Sequence, residues 1–385
     1  IRRQRQMCIR DRNGKKLERR RKTGMFFSVA LIIALILTVF QLVLPAGITE
    51  NTENLISLIG KGSYPISLES TETQSAVSRG SYYYVLTDTR LNAFANGGKE
   101  IYSHSHGFEN PVMKTSSTRA LVFDQGGNEA YIYNLHELKS SINSDAEIIN
   151  AAVSDSGVYA VVTRSESYAS VVTVYSKRGK KLYTWYSSAD TVNNVAVAPN
   201  GKKIAVSTFN STNGKFVSKI CILNFDSANP ISSVDVEGGP VITLNSFHRT
   251  GFIAATENKL YFINWSGKNN TEYKNDYTLS RLSAGTGGTV AVFNRENDRA
   301  DNRIVLFGTN GQLKKEFEFK GPVGDIAVSG GHIYCISDTE VFLYGSDGKL
   351  LRKAECGFGG VKIAPLGRTH AAVITDNRID KIKFE

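Results

Sequence analysis

The residues able to do chemistry are few in this chain, and they are badly placed for it. His104-Ser105-His106 alternate, so both imidazoles would share one face of a strand. A metal centre needs three or four converging ligands, and no acidic or Cys partner stands at a fitting spacing. Beyond the N-terminal region the thiols are Cys221, Cys335 and Cys356, an odd number that reads as small buried hydrophobes. Asp155-Ser156-Gly157 and Asp347-Gly348 are turn sequences that lack the ligand spacing of a calcium loop. Gly285-Thr286-Gly287-Gly288 lacks the following Lys-Ser/Thr of a phosphate loop. Tyr82-Tyr83-Tyr84 and Tyr183-Thr184-Trp185-Tyr186 read as alternating sheet residues rather than a sugar platform. No catalytic, cofactor-binding or metal-binding residue is nominated, and the expectation is a protein that binds without catalysing.

The elements that must position these residues are strands. Residues 148–188 hold four short runs rich in β-branched and aromatic residues, at 148–154, 158–163, 170–175 and 181–186. Such side chains fit a pleated, half-buried surface. Four antiparallel strands in about forty residues is the size of one β-propeller blade. The second strand of the unit recurs eight times, at Tyr84, Ala120, Ala160, Ala205, Ala254, Ala291, Cys335 and Ala372, with a mean period of 42 residues from Ala120 to Ala372. Slim innermost strands, suited to crowding at an axis, occur at 151–153, 195–197, 326–328 and 362–364. Gly97-Gly98, Gly179, Gly311 and Gly348 mark the turns between third and fourth strands, and Asp88, Asp338 and Asp376 those between second and third.

The fold expected is all-β: an eight-bladed propeller over residues 63–385, with seven blades as the alternative because the second unit has a weak fourth strand. The last unit has three strands. Residues 63–68 are expected to supply the fourth, closing the ring and removing two open sheet edges.

The net charge of +10 is unevenly spread. Residues 1–24 hold eleven Lys/Arg against two acids, residues 25–44 hold none of either, and residues 45–385 hold 35 basic and 34 acidic side chains. The basicity belongs to a short tail, which excludes a nucleic-acid-binding domain. Gln6 to Arg12 resembles a translated sequencing adapter, and residues 1–12 are set aside from fold reasoning. Residues 25–44 are long enough to cross a bilayer as a helix. The preceding basic cluster places the N-terminus in the cytoplasm and the propeller outside the cell. The uncleaved signal-anchor is preferred to a cleaved signal peptide, because the apolar run exceeds a signal peptide's usual core. Residues 45–62 form a linker.

Sorting charges by turn type gives two faces. Turns between first and second and between third and fourth strands gather Lys177, Arg178, Lys180, Lys181, Lys202, Lys203, Arg249 and Lys349, with Arg79 and Arg119. Asp155, Asp226 and Asp347 stand against them, and the opposite turns and the blade connections gather Asp and Glu, diluted by Arg90, Arg164 and a mixed loop at 295–303. The basic face is expected to meet anionic lipid headgroups.

This layout resembles membrane-anchored β-propellers of the WD40-like and quinoprotein-like kind. More narrowly, it is similar to an uncharacterised family of single-pass propeller proteins from Gram-positive bacteria. The resemblance implies fold and location and no activity. Trp185 and Trp265 are followed by Tyr186 and Ser266, so no Trp-Asp dipeptide is present, and the tryptophans lack the regularity of a quinone-docking motif. The function expected is a binding or scaffolding module for a protein or glycan of the cell envelope. The alternative is an enzyme acting on envelope polymers at the axial channel.

Overall fold

Val, Ile, Tyr and Ala dominate the runs at 148–186, and they fold as four antiparallel strands: Ile148–Val153, Tyr159–Thr163, Ser170–Tyr175 and Lys181–Ser187, hydrogen-bonded in chain order. The chain is described here by a computed structural model covering residues 56–384 except 213, 248, 249, 269 and 358. The basic tail, the apolar run 25–44, most of the linker and Arg249 lie outside the described residues. Within them, no helix is long and apolar enough to cross a membrane.

Eight such four-stranded sheets make the propeller. Blade 1 spans residues 73–105, blade 2 111–143, blade 3 148–187 and blade 4 191–236. Blade 5 spans 243–274, blade 6 278–320, blade 7 325–355 and blade 8 362–383. Each blade packs its apolar face on the next, and the core is divided among eight clusters, one per junction. Ala151, Val153, Leu121, Phe123 and Ile132 join blades 2 and 3. Tyr83, Val85 and Phe94 of blade 1 meet Ala372, Ile374 and Ile379 of blade 8. That last cluster closes the circle.

The closing strand is Ile66–Ser67, paired antiparallel with Ile379 and Arg378. The Leu68 amide extends it by donating to the Asn377 carbonyl at 2.7 Å. It is shorter than the 63–68 expected, because Pro65 has no amide hydrogen to donate. Seven blades are excluded: the weak fourth strand of the second unit exists, as Leu138–Asn143. Its alternating Leu138, Ser140 and Ile142 are half-buried and its other members exposed, so a Ser-rich strand carries little apolar signal. The propeller unit begins at Leu58, so the last residues assigned to the linker pack with the ring.

The turns between third and fourth strands share one geometry. Gly98, Gly179, Gly311 and Gly348 take φ of +87°, +78°, +78° and +76°, and each amide donates to the carbonyl three residues back. Each such turn is followed by a shift in the strand register. This is a tight turn ending in a left-handed Gly bulge. The residue after the Gly is Lys99, Lys180, Gln312 or Lys349, so the turn holds three of the four on one face of the ring.

Candidate functional site

The chemistry-bearing residues are structural where the ring places them. His104 Nδ1 lies 3.0 Å from the Tyr133 hydroxyl, and its ring stacks on Tyr102. His106 is buried; its Nδ1 accepts the Phe108 amide at 3.1 Å, so Nε2 carries the hydrogen and donates to the Thr87 carbonyl at 3.2 Å. Burial lowers the pKa of both imidazoles. No group of three His, Cys, Asp or Glu converges as a metal site among the described residues. Cys335 is fully buried, and burial pushes its thiol far above the ordinary range. Cys356 lies beyond the end of the fourth strand of the same blade, two strands away from Cys335. Tyr83 and Tyr84 are fully buried, and Tyr183 and Trp185 donate to the Ser227 and Ala228 carbonyls at 2.8 and 2.9 Å. Tyr186 alone departs: it is exposed and packs on exposed Tyr168, ring centroids 4.7 Å apart.

The axis is lined by the eight innermost strands. They carry one carboxylate, Asp325, and no His. Asp325 Oδ2 accepts the Ile363 amide at 3.0 Å, tying blade 7 to blade 8, and burial raises its pKa. The cations on these strands are Arg79, Lys114, Arg281 and Lys362. A general acid–base pair needs two titratable groups within reach of one reacting atom. The charged neighbours of Asp325 are Lys362 and Arg281, which oppose the effect of burial, and no second carboxylate or His stands on these strands.

The two faces are where exposed charge collects. On the basic face Lys177, Arg178, Lys180, Lys181, Lys202 and Lys349 are exposed. Lys203 is half-buried and donates to the Trp265 carbonyl at 2.8 Å, joining blades 4 and 5. Lys349 has Asp347 at 3.7 Å. Two arginines sorted to this face have other work. Arg79 Nε donates to the Ser116 carbonyl at 2.9 Å, joining blades 1 and 2, and burial lowers its pKa. Arg119 is buried. Thr118 and Ser117 then bond Asp155, at 2.8 and 2.7 Å, and the Ser156 amide reaches the Pro199 carbonyl at 3.1 Å. A chain of turn-to-turn bonds thus stiffens this face from blade 1 to blade 4.

The segment that leads into the ring also lies on the basic face. Lys99 Nζ donates to the Ile59 carbonyl at 2.6 Å. Gly62 lies so close to the Gly98–Lys99 backbone that an added Cβ would stand 2.0 Å from the Lys99 nitrogen.

On the opposite face many acids cap incoming chain. Asp88 accepts from Thr71, Asp124 from the Asn110 amide, and Asp376 from the Thr73 amide. Glu147 and Glu237 are paired with Arg164 and Lys259 at 2.7 and 2.6 Å. Exposed acids remain at Glu109, Asp145, Glu166, Asp235, Glu257 and Asp276. Apolar side chains stand among them: Tyr168, Tyr186, Phe216, Val217 and Ile242 are all exposed. Phe216 and Val217 ride on a hairpin whose ten-residue strands, Lys203–Thr212 and Lys215–Asn224, outrun the five-residue outer strand Ser232–Val236. Sequence reading did not single out Tyr168, Phe216, Val217 or Ile242, and it read Tyr186 as an alternating sheet residue. An aliphatic or aromatic residue in a strand run looks the same whether a neighbouring blade covers it or not.

Three solved structures illustrate the fold. The C-terminal WD40 domain of Sif2 superposes with a TM-score of 0.58 at 12% identity, covering 85% of this chain and 100% of that one. Sqt1 of Saccharomyces cerevisiae gives 0.57 at 10% identity, over 84% and 100%. BamB from Moraxella catarrhalis gives 0.52 at 11% identity, over 85% and 100%. At these identities the likeness establishes the propeller and nothing about ligands. No curated protein matches the sequence. Residues 61–384, which are the whole ring and its closing strand, match one family model, and the chain belongs to the family of unknown function DUF5711.

Proposed function

We propose that this protein is a non-catalytic binding scaffold, held outside the cytoplasmic membrane by residues 25–44, with its basic face toward the lipid and its acidic face toward a protein partner. The observation that carries the reading is the separation of exposed charge. Turn geometry sends Lys177, Lys180, Lys181, Lys202 and Lys349 to one face, where Asp226 and Asp347 are also exposed, and Glu109, Asp145, Glu166 and Asp235 to the other, where Arg164 is also exposed. The incoming segment at Ile59–Gly62 packs on the basic side, the side from which a membrane segment would be reached. Juxtamembrane Lys and Arg gain ~1 kcal/mol each beside anionic lipid. The acidic face with Phe216, Tyr168 and Tyr186 offers aromatic anchors in an acidic rim, which suits a basic protein segment. An axial enzyme is disfavoured by the single carboxylate on the innermost strands.

Site-specific photo-crosslinking in intact cells tests the orientation. A crosslinker at Glu166 is expected to give protein adducts, and one at Lys202 lipid adducts. Protein adducts from Lys202 alone would reverse the assignment of the faces.

A further inference from the structure

We infer that the outer rim of the basic face is a lipid-contact surface, where aliphatic side chains at the starts of outermost strands enter the headgroup region of an anionic membrane. The inference rests on the orientation proposed above and adds an apolar component to it.

Leu182, Leu313, Leu350 and Leu351 lie in the first two residues of their outermost strands, directly after the third-to-fourth turns, and Ile231 stands one residue before its strand. All five are between 44% and 52% exposed. Single exposed apolar residues are ordinary on a protein surface. Here they recur at one structural position, in blades 3, 4, 6 and 7, and always on the same face. The position is not intrinsically outward. Ile101 and Leu138, at the starts of the outermost strands of blades 1 and 2, are half-buried against the cluster between those blades.

Cations accompany the four leucines, whereas Ile231 has no Lys or Arg within four residues. Lys180 and Lys181 precede Leu182, Lys314 and Lys315 follow Leu313, and Lys349 and Arg352 flank Leu350 and Leu351. These Lys and Arg residues are exposed. Lys314 Nζ reaches the Gly287 carbonyl at 3.4 Å, which keeps it on this face. Aliphatic side chains interleaved with long cations make a surface that buries apolar atoms a few ångströms deep while the charges meet phosphates. Ile59, also exposed, stands on the same side.

The occupant is a bilayer, on the reading above that residues 25–44 span one. Thirteen residues, 45–57, separate the apolar run from Leu58. Fully extended, thirteen residues reach at most ~45 Å, and the chain at Ile59 enters the ring on this face. Exposed Lys and Arg at the rim select anionic over neutral headgroups.

The test uses residues 58–385, which contain all eight inter-blade clusters and both partners of the closing strand pair. Flotation with vesicles of equimolar phosphatidylglycerol and phosphatidylcholine is compared with phosphatidylcholine alone, at low salt. The wild-type fragment is expected to bind the anionic vesicles. The variant L182S/L313S/L350S/L351S is expected to bind them about tenfold more weakly, with an unchanged circular dichroism spectrum. The variant K177Q/K180Q/K181Q/K349Q is expected to lose binding as well. If the Lys variant loses binding and the Leu variant does not, the apolar contact is wrong and the orientation stands. If the wild-type fragment ignores anionic vesicles, both fall. A single change, Leu350→Trp, gives a readout that does not depend on the multiple variant folding. Its added fluorescence should be quenched by brominated phosphatidylglycerol, and an unquenched signal overturns the inference.

Discussion

His106 shows how a residue of catalytic type is spent on structure. Its Nδ1 accepts an amide and its Nε2 donates to a carbonyl, so only the neutral ring fits. Burial holds its pKa below the ordinary value of about 6.5. The sign follows from linkage: between the two pKa values the unfolded chain binds the proton and the folded one does not. The stability His106 contributes is therefore present above about pH 6.5 and is lost as pH falls toward the folded pKa. Urea titrations at neutral and mildly acidic pH should show the wild type losing more stability on acidification than His106→Gln. Equal losses would remove His106 from the account.

Two glycines with the same φ separate backbone strain from crowding. Gly179 and Gly311 both sit at +78°. A Cβ at Gly179 would meet Ser140 Oγ at 3.1 Å, whereas one at Gly311 would meet the Phe262 ring at 2.5 Å, in the junction of blades 5 and 6. Gly179→Ala should cost about 1 kcal/mol, chiefly from the left-handed conformation, with a small shift of the Ser140 hydroxyl. Gly311→Ala should cost about 2–4 kcal/mol, because a packed ring must also move. Urea midpoints of the two variants measure the difference, and equal midpoints would mean that the Phe262 ring yields freely.

At the scale of elements, the strand that matters most is also the shortest. Ile66–Ser67 covers the edge of Arg378–Lys383, and Leu68 buries its side chain in the junction of blades 8 and 1. Leu68→Ala should cost about 2–4 kcal/mol, as for other buried leucines. A chain that starts at residue 70 should lose more: it uncovers a strand edge and removes Tyr64, Ile66 and Leu68 from a junction, so association through that edge is expected. Size-exclusion chromatography of the truncated ring reads this directly. A monomer with an unchanged melting temperature would show that the ring holds without its clasp. The long hairpin of blade 4 is the contrasting element. Residues beyond the reach of Ser232–Val236 support no neighbour, which leaves Phe216 and Val217 exposed.

At the scale of the whole molecule, the charge pattern predicts how the ring responds to salt. Outside the N-terminal tail the chain is nearly neutral, so long-range attraction to a membrane depends on how charge is distributed between faces. Binding of the ring to anionic vesicles should fall steeply as the Debye length shrinks from about 10 Å at 0.1 M salt to about 3 Å at 1 M. Binding that is insensitive to salt would mean that the basic face is not in contact with the lipid.

What the residues determined by themselves was local and periodic. Branched and aromatic runs, Gly at the third-to-fourth turns and Asp at others specify four strands per unit. Eight copies of Tyr84-like second strands specify eight units, because strand pairing and left-handed turns are short-range demands. The closure by residues 63–68 was legible for a related reason: a three-stranded last unit needs an edge partner, and that stretch precedes the first complete unit, whereas the register of Ile66 with Ile379 came from the structure. Tertiary structure decided which side chains are left over once the blades close. Arg79, Arg119 and Lys203 belong on the basic face by turn type, yet they bond carbonyls inside or between blades. Ile101 and Leu351 occupy equivalent strand starts, yet one is covered and the other is not. Exposure depends on how far a neighbouring blade reaches, and that distance is set by contacts between residues about forty positions apart, which no local pattern encodes.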